Sequence, residues 1–284
     1  MPTVFDQVDP KERLLSFVLE RQSIADKRGR GSPKPWTQDT ILQTYRFCSV
    51  RREDDAVTRW LAANWRTPRS ADPDLWFAMV LARLLNLPDS LQAVGVPLPW
   101  NRRHFLEVMV ARKRAGQRNF NSAYIVSTCG RVCPKEVYVA DLLDPLWRDR
   151  ASLRPRAGDT LNSWHMTLAQ FHGLGSFLAA QVVADMKYVL PLNGASDWHT
   201  FAASGPGSRR GLSRGLGQRV DLPWTEDAWR LELARLREWL NNRLRWDELL
   251  HAQDAQNCLC EFDKYERTRL GEGRPKRRFD GGAE

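Results

Sequence analysis

Apolar residues recur at helical spacing along most of this chain, and runs of alternating β-branched residues are nearly absent. A sheet needs side chains that alternate between two faces, whereas a helix buries a stripe at i, i+3, i+4 and i+7. The pattern therefore restricts the chain to an all-α, helix-on-helix architecture. Asp9-Pro10-Lys11-Glu12 reads as an N-cap, a first-turn proline and a capping glutamate, and Leu14, Phe17, Val18, Arg21 and Ile24 follow on one face. A second long helix is predicted from Thr40 to Trp65, with Val57, Trp60, Leu61 and Trp65 on its apolar side. Others are predicted near 74–87, 102–116, 135–149 and 159–171. Thr225 caps a further helix whose stripe is Trp229, Leu233, Leu236, Leu240 and Leu244. The one short β-like exception is AYIVST, Ala123 to Thr128.

Glycine and proline punctuate the rest. KRGRGSPKPW (Lys27 to Trp36) is a loop with four cationic residues, GASDWHTFAASGPGSRRGLSRGLG is too irregular for one helix, and GEGRPKRRFDGGAE is a polar tail expected to be mobile at its end. Hydrophobic residues make up 42% of 284, enough for the core of one large domain or two interleaved ones. We expect an N-terminal helical subdomain over 1–118, a second subdomain over 119–265 and a basic tail over 266–284.

The net charge of +9 fits either an anionic partner or a basic but inert surface. Nucleic acid suits it better than membrane, because no apolar run approaches the ~20 residues of a spanning helix. The start, MPTVFDQVDPKERLL, has neither the basic opening nor the apolar core of a secretory signal. Five cysteines (Cys48, Cys129, Cys133, Cys258, Cys260) form an odd set without paired metal-ligand spacing, so they read as ordinary thiols with no metal site.

The most informative stretch is LAQFHGLGSFLAAQVVADM, Leu168 to Met186. Leu161, Trp164, Leu168 and Phe171 give one helix an apolar face; Leu178, Val182, Met186 and Val189 give the next its own. Gly173 and Gly175 permit the reversal between them. His172, Gly173, Gly175 and Ser176 then lie where the start of a helix could hold a DNA phosphate. The alternative is a hairpin whose glycines only allow close packing.

Residues further on bear on that choice. The hairpin followed by SDWHTF resembles the helix-hairpin-helix DNA glycosylases, whose pattern is Gly-x-Gly, a helix, then Asp-x-His in a loop. Asp197 stands 22 residues after Gly175, where that superfamily keeps its essential carboxylate, and His199 stands where it often keeps a histidine. Two residues after the second glycine, lyase-active members carry a lysine; here it is Phe177, which cannot form an imine. The iron–sulfur cysteine quartet of several members is also missing.

Longer strings, FCSVRREDDAVTRWL (Phe47 to Leu61), FNSAYIVSTCG (Phe120 to Gly130), SGPGSRRGL and CLCEFDKYERTRLGEGRPKRRF, resemble a narrower phage family. These are the α-glutamyl/putrescinyl-thymine pyrophosphorylases, or amino acid:DNA transferases, related to the helical domain of 5-hydroxymethyluracil DNA kinases. The resemblance implies a glycosylase-like fold in a phage-encoded protein of the host cytoplasm. It also implies replacement of phosphate or pyrophosphate on the 5-methylene of a uracil in DNA by an amino acid (glycine or another amine). No cofactor is required, though Mg2+ could accompany pyrophosphate, and a hydroxymethyluracil DNA kinase is an implied partner. The base must be flipped out or presented in a single strand. Asp197, with His199, would take the proton of the attacking amine; its alternative is an N-cap.

Departure of an anion needs cations and donors, which GPGSRRG supplies as Gly205, Gly207, Ser208, Arg209 and Arg210. Its alternative is an exposed basic turn. Arg51 and Arg52 open a charge run read as part of a helix; with Glu261, Lys264 and Arg267 they are further candidates for gripping substrate or DNA. Asn119 and Asn121 could read a base edge or merely form a turn. Two other activities stay open: a monofunctional glycosylase, and a non-catalytic DNA-binding partner of the kinase.

Overall fold

The computed structural model describes residues 8–121 and 126–279. Ala123, Tyr124 and Ile125 of the β-like AYIVST string, and the last five residues of the tail, lie outside that range. Among the described residues there are thirteen α-helices and no named strand, only an antiparallel bridge between Tyr45 and Arg278. In order they are α1 (Pro10–Gly29), α2 (Thr40–Thr44), α3 (Ala56–Leu61), α4 (Leu75–Leu85), α5 (Pro88–Val94), α6 (Arg102–Arg114) and α7 (Lys135–Arg148). There follow α8 (Arg150–Leu153), α9 (Leu161–Ala169), α10 (Gly175–Met186), α11 (Pro206–Gly215), α12 (Glu226–Leu244) and α13 (Ala252–Arg269). The fold is all-α.

Contacts divide the chain into a terminal unit, made of the residues through Asp55 and those from His199 onward, and a central unit, Ala56–Trp198. These boundaries differ from the 118/119 and 265/266 divisions expected from sequence. The terminal unit joins both ends of the chain in one core: Leu14, Phe17 and Val18 of α1 pack with Trp229, Leu233 and Leu236 of α12 and Phe262 of α13. Periodicity says which face of a helix is apolar but not which distant helix covers it.

In the central unit α4 is hydrophobic all round, and all eleven of its residues are buried, Arg83 among them. That guanidinium meets Asp185 of α10 through Nε (2.6 Å) and Nη2, and it also donates to Thr58 (3.0 Å) and Asn86 (3.2 Å). A buried charge is tolerable only when paired and hydrogen-bonded in this way.

Two local expectations fail. The long helix from Thr40 to Trp65 is broken: α2 ends at Thr44, the chain runs extended to Arg51, a 3-10 turn covers Arg52–Asp54, and α3 leads into a π turn. The extended backbone finds other partners. Cys48 N–H donates to Glu261 (2.9 Å), Arg52 N–H to Asp254 (3.0 Å) and Arg46 N–H to the Arg277 carbonyl (3.2 Å). Partners on α13 and the tail thus replace the bonds a helix would have supplied. Conversely, the glycine-rich GPGSRRG region forms α11. Its glycines allow contact with α13: a Cβ on Gly211 would lie 2.0 Å from the Leu259 carbonyl oxygen.

Candidate functional site

The hairpin forms as its periodicity predicts. Leu161, Trp164 and Leu168 of α9 and Leu178, Val182 and Met186 of α10 are buried, and the turn between the helices uses Gly173 at φ 89° and Gly175 at φ 58°. A Cβ at Gly173 would also sit 2.5 Å from a methyl of Leu142, so this position needs glycine twice over. His172, Gly173, Gly175 and Ser176 are all exposed. Leu174 places no capping side chain on α10, whose N-terminal end is the one that attracts anions. Buried His165 braces the turn, with Nε2 3.0 Å from the Ser176 carbonyl oxygen and 3.3 Å from its hydroxyl. Phe177 is 58% exposed. Beside it lies a cavity of ≈340 Å³ lined by Arg83, Cys129, Tyr138, Gly175 and Phe177. Cys129 Sγ is 3.3 Å from the Tyr138 hydroxyl, and that contact, with burial, pushes the phenol up to about 12.

Asp197 is a tertiary cap. Its two oxygens accept the N–H groups of Leu161 (2.7 Å) and Asn162 (2.9 Å), while the Thr160 hydroxyl accepts that of Ser163 (3.0 Å). The first turn of α9 is thereby satisfied. Nine residues at 1.5 Å each make α9 roughly 14 Å long, so Asp197 and the glycine turn sit at opposite ends of one helix. The Asp197 loop is held by a residue that sequence reasoning overlooked. Lys187 is fully buried; its Nζ donates to the Trp198 carbonyl (3.0 Å) and lies 3.6 Å from the centroid of the Trp198 ring, while Trp198 Nε1 donates back to the Lys187 carbonyl (2.7 Å). A lysine just past an apolar helix looks like an ordinary solvated C-terminal residue. The nearby Tyr188 and Trp198 were the available hint. His199 falls in the terminal unit, its side chain exposed and its carbonyl accepting from Ala252 N–H (2.9 Å) and Arg237.

The remaining candidates of the terminal unit are drawn into structural pairings. Instead of presenting free donors to an anion, Gly207 packs near Cys260 (3.5 Å from an added Cβ), and buried Ser208 accepts the Gly205 N–H (2.9 Å). Arg209 binds Glu226 (3.2 Å), the Ser204 hydroxyl (2.8 Å) and the Trp224 carbonyl (2.8 Å). Burial raises the Glu226 carboxyl, but bonds from Ser204 and the nearby arginines outweigh it and hold the group below its usual range. Arg210 (2.9 Å), Arg214 (3.0 Å) and Arg267 (3.3 Å) converge on buried Asp263.

A second cluster unites two strings far apart in sequence. Along α13, Asp254, Asn257, Glu261 and Lys264 form one stripe that grips the backbone of residues 46–52. Lys264 pairs with Glu261 at 2.5 Å, and Arg51 pairs with Glu248 at 3.2 Å. Asp55 accepts the Ser49 N–H (2.8 Å), yet burial keeps its carboxyl above the ordinary range. The charge run is thus a docking segment for α13, not a solvated helix face.

Asn119 is buried and donates to the Met109 carbonyl (2.8 Å) and Glu136 (3.0 Å). Asn121 donates to the Asn86 carbonyl (2.8 Å). Both are placed as structural hydrogen-bonders within the central unit. A larger cavity of the terminal unit, ≈530 Å³, is bordered by Arg13, Phe17, Trp36, Asp39, Tyr265 and Arg269; Tyr265 donates to Asp39 at 2.6 Å. Among the described residues no group of three or more His, Cys, Asp or Glu side chains could hold a metal, and no helix is long and apolar enough to cross a membrane.

The chain is similar to a 5-hmdU DNA kinase of Bacillus phage SP10, with 25% identity over 283 aligned residues that cover 87% of this chain. It spans 43% of the length of that relative. No solved structure matches it. Residues 11–274 match the family described as the helical domain of 5-hmdU DNA kinase, and with nearly the whole chain included, the protein belongs to that family.

Proposed function

We propose that the protein modifies 5-hydroxymethyluracil in DNA, as a transferase that aminates the phosphorylated base. An amino acid or other amine attacks the 5-methylene carbon of 5-(phospho- or pyrophosphomethyl)uracil. A C–N bond forms, the C–O bond breaks, and phosphate or pyrophosphate leaves with the bonding pair. The nitrogen gives its proton to Asp197, with His199 beside it in the chain, and the glycosidic bond stays intact. The product is a hypermodified thymine of the α-glutamyl/putrescinyl-thymine class.

Family membership carries the reading: a 5-hmdU DNA kinase, by its name, would place on the hydroxymethyl group the phosphate that this displacement expels. The exposed glycine turn suits a grip on the DNA backbone. With Asp197 roughly 14 Å away along α9, that grip would fall beside the flipped base and not on it. Incubating the protein with phosphorylated hydroxymethyluracil DNA and each amino acid, then digesting to nucleosides for mass spectrometry, tests the reading. Unchanged nucleosides with every amine would sink it, and abasic sites would indicate a glycosylase.

One observation favours a second reading, a non-catalytic DNA-binding partner of the kinase. Asp197 has a complete structural job as the cap of α9. A binding module would keep its stimulation of a kinase in any Asp197 variant that remains folded, whereas the transferase would not.

A further inference from the structure

We propose that the terminal unit carries a second, fixed DNA-backbone surface, built from the 274–279 segment and from Lys27–Trp36, which was expected to be all loop but begins in the last turn of α1. Between them these two stretches hold eight Lys and Arg residues and no acid, set against a net charge of +9 for the whole chain. The two stretches are therefore strongly cationic, which favours a polyanionic partner.

The fold brings the two stretches together. Trp36 and Phe279 meet edge to face with centroids 5.9 Å apart, two residues from Lys34 and next to Arg278. Each stretch is anchored. In the loop, Ser32 N–H donates to the Lys27 carbonyl (2.9 Å), Trp36 Nε1 to the Ser32 carbonyl (2.7 Å) and Lys27 Nζ to the Trp36 carbonyl (2.8 Å). In the tail, the Tyr45–Arg278 bridge is flanked by Phe279 N–H to the Thr44 carbonyl (2.8 Å). The tail is thus docked as far as Phe279, and the end expected to be mobile lies outside the described residues.

Arg28, Arg30, Arg274, Lys276 and Arg278 are exposed and pair with no acid among the described residues. Anchored backbone with unpaired cations lowers the ordering cost of binding a polyanion. A regular phosphodiester backbone fits such a surface. A membrane fits less well, since the only aromatic rings there pack on each other instead of projecting outward. The inference rests on the proposed DNA substrate, but it concerns sequence-independent affinity and not the reaction.

The test is binding of the full chain to a short, unmodified, labelled duplex as NaCl is raised. Each phosphate contact contributes about 0.9 to the slope of log K against log salt, so R28A/R30A/R274A/K276A should lower that slope by about 3 to 4. The charge-keeping R28K/R30K/R274K should hold it near the wild-type value, which separates lost charge from lost folding. An unchanged slope in the alanine variant would overturn the proposal. So would no duplex binding by the wild type, or an effect confined to phosphatidylserine vesicles. The duplex lacks the modified base, so the two readings fail separately. A lowered slope without amination leaves the surface standing and refutes the transferase, whereas amination with an unchanged slope does the reverse.

Discussion

Replacing Asp197 by Asn separates capping from chemistry at the most exposed point of the account. The carboxylate takes two N–H groups at the start of α9, at 2.7 and 2.9 Å. An asparagine keeps one acceptor oxygen but turns an NH2 toward the other donor. One hydrogen bond to a charged group is worth ~1.5–3 kcal/mol, and a negative charge at a helix N-terminus adds ~0.3–1. The variant should therefore lose roughly 2–4 kcal/mol, which at 2–4 °C per kcal/mol is a fall in Tm of about 5–15 °C. Thermal melts by circular dichroism read this directly. Thr160→Ala is the matched control: it removes the Ser163 cap of the same helix (3.0 Å) at a cost of ~1 kcal/mol and leaves the carboxylate in place. Asp197→Asn melting like wild type would refute the capping geometry. If amination falls no further in Asp197→Asn than in Thr160→Ala, at a temperature where both are folded, Asp197 is not the base.

Gly211→Ala should cost about 3 kcal/mol or more in urea unfolding, because its Cβ meets the Leu259 carbonyl at 2.0 Å. Gly194→Ala, with nothing within 4 Å, should stay within ~0.5 kcal/mol. Arg83→Met removes the cation paired with the buried Asp185 carboxylate and should cost about 3–5 kcal/mol, whereas Arg83→Met with Asp185→Leu should recover most of it. Asp55 has its folded-state pKa raised by burial, so its ionisation works against folding. Stability should fall as pH rises from the unfolded value near 4 through the raised one. Asp55→Asn, which keeps an acceptor for Ser49, should flatten that segment of a stability–pH profile and stabilise the protein at neutral pH.

Where local pattern decides structure, the sequence was readable. The α9–α10 hairpin, α1 behind Asp9 and α12 behind Thr225 follow from apolar stripes and caps alone. The pattern misleads where a distant element supplies the hydrogen bonds. Residues 45–51 look helical, yet bonds from Asp254, Asn257, Glu261 and Lys264 to the backbone of 46–52 hold this stretch extended. Glycine misleads in the opposite direction at α11, where it lets α13 approach instead of breaking the helix. At the candidate site, the glycine turn was legible because positive φ leaves few residues a choice. The capping of α9 by Asp197, across 35 residues, and the burial of Lys187 are products of tertiary packing that spacing does not encode.

The most direct measurement follows the amine's nitrogen. Hydroxymethyluracil DNA, first phosphorylated or pyrophosphorylated on its 5-methylene, is incubated with the protein and an amino acid carrying a heavy nitrogen isotope. It is then digested to nucleosides for mass spectrometry. The expected product is a nucleoside with the labelled nitrogen on that methylene, its glycosidic bond intact, and one phosphate or pyrophosphate released per nitrogen gained. Recovery of only the starting nucleoside, or of abasic sites with free base, would contradict it.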